Sequence, residues 1–275
     1  MTALGAVGGL SGCARRGPQV VTKRAFYYWR TTLQLSAIET QALADLAIDR
    51  LYLRLFDVDW SEGDQAARPL GVLTGGAGVI PAAIEVVPVV FVRNRVLRRI
   101  DAADVPFLAE EVWRAVTGAM QRLGRRAGEV QLDCDWTDST RDRYFALLTV
   151  LGERARTAKT TLTATVRLHQ IKYRERTGVP PVGRGMLMLY NMGRIDADQA
   201  TNAIYDDAIA QDYLGRAGDY PLPLDVALPI WTWVVHVRGT QVEGLLQDVD
   251  SAALGGLPWL RPVSPRRFEV TASAF

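Results

Sequence analysis

Cysteine and histidine are scarce in this 275-residue chain, with two of each. A structural zinc site of the usual Cys/His kind is therefore not expected, and no metal is assigned. Several catalytic signatures are missing as well. There is no Gly-x-Ser-x-Gly elbow, no Walker loop, no His-Glu-x-x-His and no phosphate-cradling glycine fingerprint after a strand. These absences set aside the enzyme classes those motifs mark, and no cofactor is expected. No apolar run approaches the ~20 residues of a membrane helix. Charge of one sign is also lacking: 32 Lys and Arg against 30 Asp and Glu leave a net charge of +2. The basic residues are dispersed, so no nucleic-acid partner is expected.

What is present is ordinary globular material, 48% hydrophobic and 23% charged. The length suits one α/β barrel, typically ~250 residues. Apolar, β-rich runs at 26–31, 51–58, 86–93, 130–136, 162–169, 186–191 and 226–233 alternate with helical patterns at 36–48, 104–123, 139–158 and 200–214. That alternation marks βαβ units and a largely parallel sheet. A weaker eighth strand falls at 268–271. The expected fold class is α/β, an irregular TIM-barrel-like (β/α)8 domain over residues 25–275; a doubly wound open sheet is the alternative. Helices should be missing after the second and fifth strands. There, 61–83 is glycine-rich and 172–185 holds Thr-Gly-Val-Pro-Pro. Long loops of this kind are commonly functional or disordered.

The run 129–137 carries most of the chemistry. Strand side chains alternate faces, so Val130, Leu132, Cys134 and Trp136 share one face and Gln131, Asp133, Asp135 and Thr137 the other. Polar groups on an inner barrel face are costly to bury without partners or a use, and barrel active sites lie at the C-terminal mouth. The fifth strand repeats the pattern with Thr163, Thr165, Arg167 and His169 on one face. Arg167 is then the first counter-ion for Asp133 or Asp135. On the second strand, Tyr52, Arg54 and Phe56 are expected inward, with Asp57 and Asp59 at its end. Tyr190 and Asn191 close the sixth strand, and Trp231 joins Asp225, Ala227 and Pro229 on a face of the seventh. Asp133 and Asp135 are the catalytic candidates. Gln131, Arg54, Arg167, His169, Tyr190, Asn191 and Trp231 are the substrate-binding candidates.

The first 24 residues read as a signal and tether. Leu10-Ser11-Gly12-Cys13 follows a small, apolar start and resembles a bacterial lipobox, although no Lys or Arg precedes it. Cys13 would then be lipidated, placing the protein in the cell envelope, anchored at the outer membrane or in the periplasm. Cys134 would be a buried free thiol.

Asp133-Cys134-Asp135-Trp136-Thr137 resembles the fourth-strand motif of chitinase-type glycoside hydrolases, Asp-x-x-Asp-x-Asp-x-Glu. Met188-Leu189-Tyr190-Asn191 resembles their sixth-strand Met-x-Tyr-Asp, and 226–231 their apolar seventh strand. The position of that family's proton-donating glutamate is Thr137 here. From 26 to 239 the chain looks closer to a bacterial domain-of-unknown-function family of secreted and lipoprotein-type proteins, through runs such as 131–137, 167–170, 177–181 and 189–193. The resemblance implies a barrel whose mouth acts on or binds a saccharide. A non-catalytic saccharide-binding lipoprotein and an envelope-assembly partner are the alternatives.

Overall fold

The computed structural model describes residues 22–76, 78–193, 195, 202–247, 249, 251–264 and 267–271. Seven parallel strands make a curled sheet in the order β1 (Ala25–Tyr28), β2 (Arg50–Ser61), β4 (Glu85–Val92), β5 (Glu129–Asp133), β6 (Thr161–Arg167), β7 (Arg184–Met188) and β8 (Leu224–Ala227). A further strand, β3 (Ala66–Leu70), folds back antiparallel on β2. No pairing joins β8 to β1 among the described residues, so the barrel has a seam.

The helices lie on the outer face. Ser36 opens α1 (Ala37–Asp45) with a capping box to Glu39, which satisfies amide groups that a helix start leaves unpaired. Beyond β4 the chain runs through the short α2 (Asn94–Arg99) into α3 (Val105–Arg122). In α3, Val105, Leu108, Ala109, Val112, Val116 and Met120 are buried, the three-to-four spacing of a single core-facing stripe. α4 (Arg141–Thr157) does the same with Tyr144, Leu147, Leu148, Leu151 and Ala155. After β6 there are only two short helices, α5 (Leu168–Lys172) and α6 (Arg174–Thr177); α7 (Asp207–Ala217) precedes β8. The TIM-barrel-like class is thus observed, with no helix between β2 and β4 among the described residues and only the short α5 and α6 between β6 and β7.

Two expectations about the C-terminal part are corrected. The seventh strand leaves the sheet at Ala227, just before Pro229, where a proline cannot donate a ladder hydrogen bond. Trp233 instead begins β9 (Trp233–Arg238), which pairs antiparallel with β10 (Gln241–Gln247). After α8 (Ser251–Gly255) comes the second pair, β11 (Leu260–Ser264) with β12 (Arg267–Val270). The residues expected as an eighth barrel strand therefore belong to a separate hairpin.

The phase of β2 also differs from the expectation. Arg54 faces Val89 but Phe56 faces Val90, leaving Leu55 as an extra residue in the strand. Such a bulge reverses which face the following residues occupy. Phe56 consequently packs in the outer core with Leu55 and Val58. Tyr52, ahead of the bulge, packs inside with Val87, Val89, Met186 and Met188.

Candidate functional site

β5 is buried on both faces, as a parallel strand between helices and a filled barrel must be. Val130, Leu132, Cys134 and Trp136 lie in the outer core. Trp136 stacks on Tyr144 at 5.1 Å between ring centroids and donates its indole N–H to the Thr177 carbonyl at 2.9 Å. The inner face carries the polar series. Gln131 is fully enclosed and accepts from the Tyr27 hydroxyl at 2.5 Å. Its Nε2 has no hydrogen-bond partner among the described residues.

Above Gln131, Asp133 and Asp135 share one arginine. Arg167 Nη2 donates to Asp133 Oδ1 at 2.9 Å, its Nε donates to Asp135, and its Nη1 lies 3.2 Å from the Tyr190 hydroxyl. Thr165 Oγ1 also donates to Asp133, at 2.6 Å. The Asp133 side chain is 4% exposed and that of Asp135 53%, so the clamp runs from interior to solvent. Burial raises the Asp133 pKa above the carboxylate norm, with Arg167 and Thr165 opposing. Burial alone would lower the Arg167 pKa, but Asp133 and Asp135 outweigh it and keep the guanidinium charged.

The next segment fixes the clamp. Gln170 accepts from the Arg167 amide at 2.7 Å and donates to the Trp136 carbonyl at 3.1 Å. The ends of β5 and β6 are thereby tied together. His169, expected on the inner face with Arg167, sits on α5 instead and is exposed, because the chain turns helical at Leu168. Thr137 is also exposed, its hydroxyl near those of Ser139 and Thr140.

Tyr190 meets Trp231 edge to face, with centroids 4.7 Å apart, an arrangement aromatic quadrupoles favour. Burial raises the Tyr190 pKa, so its hydroxyl stays protonated. Asn191 is exposed with φ 56°, its amide donating to the Ile204 carbonyl.

Arg54 is buried, and its partners are Asp57 and Gly71. Its Nε donates to Asp57 at 2.7 Å and its Nη1 to the Gly71 carbonyl at 3.0 Å. Gly71 has φ +57°, and a Cβ there would come within 2.8 Å of Arg54 Nη2, so the loop closes over the guanidinium only with glycine. Arg54 also lies 6.0 Å from the Trp29 ring.

Three residues of this mouth escaped the sequence reading. Tyr27 stacks on Tyr52 at 4.8 Å, and Trp29 meets Tyr27 edge-on. Period-two alternation along the first strand was the available signal. Arg93, one residue beyond β4, reaches Asp57 Oδ2 at 3.3 Å and Asp59 Oδ2 at 3.5 Å. Among the described residues no group of three or more His, Cys, Asp or Glu is placed to hold a metal ion.

No protein-family model and no curated protein matches the sequence. Solved structures do. The C-terminal domain of a "putative chitinase" from Desulfitobacterium hafniense superposes with a TM-score of 0.56 at 11% identity, over 85% of this chain and 75% of that one. The spore cortex-lytic enzyme SleL of Bacillus megaterium gives 0.51 at 10% identity, over 82% of this chain and 56% of that one. The chain thus spans little more than half of SleL. At such identities the similarity speaks for fold alone, a TIM-barrel-like α/β fold.

Proposed function

We propose that the mouth of this barrel holds a saccharide, and that binding is the role its geometry serves best. The observation that carries this reading is the clamp. Arg167 spans Asp133 and Asp135, so both carboxylates are engaged as acceptors, while a threonine stands where a chitinase-type enzyme has its acid. Carboxylate and guanidinium groups suit sugar hydroxyls, and the adjoining Tyr190–Trp231 pair suits the apolar face of a sugar ring. The chitinase-like fold supports the same ligand class.

Cleavage is the second reading, favoured by one feature. Asp133 is buried with a raised pKa beside the half-exposed Asp135, and such pairs can divide acid and base duties. Asp135 would then be the general acid or base, Asp133 its electrostatic partner, and Tyr190, Asn191 and His169 would position the substrate.

Calorimetric binding and product analysis on peptidoglycan, chitin-type and exopolysaccharide fragments separate the readings. Binding without cleavage is expected, and Trp231→Ala should weaken it by ~1 kcal/mol, the scale of one aromatic contact. Products that vanish with Asp135→Asn would establish the second reading, since an amide cannot exchange the proton. Neither binding nor cleavage would remove both and leave an envelope-assembly role.

The cell-envelope location is likewise a proposal. It rests on the lipobox-like string ending at Cys13, which lies outside the described residues. In a diderm host, Cys13→Ser should move the protein from the membrane fraction to the soluble one. A protein that is soluble and cytoplasmic with either residue would end the idea.

A further inference from the structure

A second charged network lines the mouth on the β2–β4 side, and the saccharide reading gives it no task. The Leu55 bulge turns Asp57 and Asp59 onto the inner face. Each already has an arginine of its own: Arg54 for Asp57, and Arg95 for Asp59 through two N–H groups. Arg93 stands between them as a third cation. Its approaches are long, 3.3 Å to Asp57 and 3.5 Å to Asp59, and its enclosed Nε has no hydrogen-bond partner among the described residues. The side chain nevertheless remains 41% exposed. A guanidinium offers five N–H donors in a planar fork shaped for a carboxylate, and among the described residues only one of those of Arg93 makes a hydrogen bond, from Nη2 to Asp57.

Position strengthens the case. Phe91 pairs with Asp133, so Arg93, two residues on, rises to the level of Asp135 on the neighbouring strand. The β2–β4 side carries three guanidiniums against two carboxylates, whereas the β5–β6 side carries one against two. A ligand lying across the mouth would meet a cationic half and an anionic half.

We propose that Arg93 receives a carboxylate of the bound saccharide, so that the ligand is an acidic glycan oriented with hydroxyls toward Asp135. This deepens the saccharide reading and rests on it. The carboxylate could come from a uronic acid or from the lactyl group of a muramic acid; the chemistry at Arg93 is the same.

The test is calorimetric titration of the full chain with oligogalacturonate, muramic-acid-containing glycan strands and neutral chito-oligosaccharides of equal length. At least one acidic probe should bind about tenfold more tightly than the neutral one, the scale of a charge-assisted hydrogen bond, and added salt should narrow the gap. Arg93→Gln should erase the preference while leaving neutral binding in place, and Arg93→Lys should keep part of it. Arg54 and Arg95 still neutralise the aspartates in both variants, so thermal unfolding should confirm an intact fold. Equal affinity for acidic and neutral probes, or an equal loss on both with Arg93→Gln, overturns the proposal and leaves saccharide binding standing. No binding to any probe overturns both.

Discussion

Replacing Arg167 with methionine should destabilise the protein by about 3–5 kcal/mol, because it strands a buried carboxylate without its counter-ion. Asp133 is 4% exposed and, among the described residues, would keep only its bond from Thr165. The loss should also depend on pH in a defined direction. Burial already raises the Asp133 pKa, so the folded state takes up a proton more readily than the unfolded chain. Stability linked to that proton is complete below the ordinary carboxylate range and fades as pH rises through the raised value. Without Arg167 the main opposing influence disappears and the pKa climbs further. The deficit of the variant should therefore widen from acidic to mildly alkaline buffer in urea-unfolding series. A deficit that is constant with pH, or below about 1 kcal/mol, would mean that Arg167 does not hold the charge of Asp133.

The opposite end of the barrel should respond differently. Glu129 pairs there with Arg50 at 2.8 Å and with Arg184, and accepts from Thr163 Oγ1 at 2.8 Å, with its side chain 4% exposed. Glu129→Gln keeps the shape but removes the charge that two arginines share. A loss of about 3 kcal/mol in unfolding free energy is expected, with saccharide affinity unchanged, since the N-terminal end of a barrel serves stability and the C-terminal end carries the site. Affinity that falls while stability holds would relocate the site to this end.

Much of the sheet was legible because its strands are short apolar runs bounded by helical periods. The first six parallel strands fall on the runs at 26–31 through 186–191, with ends shifted by a residue or more, whereas β8 shares only 226–227 with the run at 226–233. The alternation in 129–137 likewise separated Cys134 and Trp136 from Gln131, Asp133 and Asp135, and that of 162–169 offered Arg167 as counter-ion for Asp133 or Asp135, where it engages both. What alternation could not show is where alternation stops. Leu55 interrupts it inside β2, a helix begins at Leu168 and carries His169 off the face, and Pro229 ends the pattern before Trp231. Each interruption depends on pairing with strands distant in sequence, or on where the backbone chooses to turn, and a local period carries neither. The separate hairpin of β11 and β12 was missed for the same reason: a four-residue strand shows its own pattern but not its partner.

The extra residue at Leu55 changes how position number maps onto the two sides of the wall. Up to Arg54 the even-numbered side chains of β2 face the interior, and beyond Leu55 the odd-numbered Asp57 and Asp59 do. Because Arg54 and Phe56 already face the consecutive residues Val89 and Val90, the bulge absorbs one residue and leaves the later pairs undisturbed. Deleting Leu55 alone would keep Phe56 outward and Asp57 inward, whereas an ungapped comparison with a relative lacking that codon would pair every residue beyond it with a side chain from the other side of the wall.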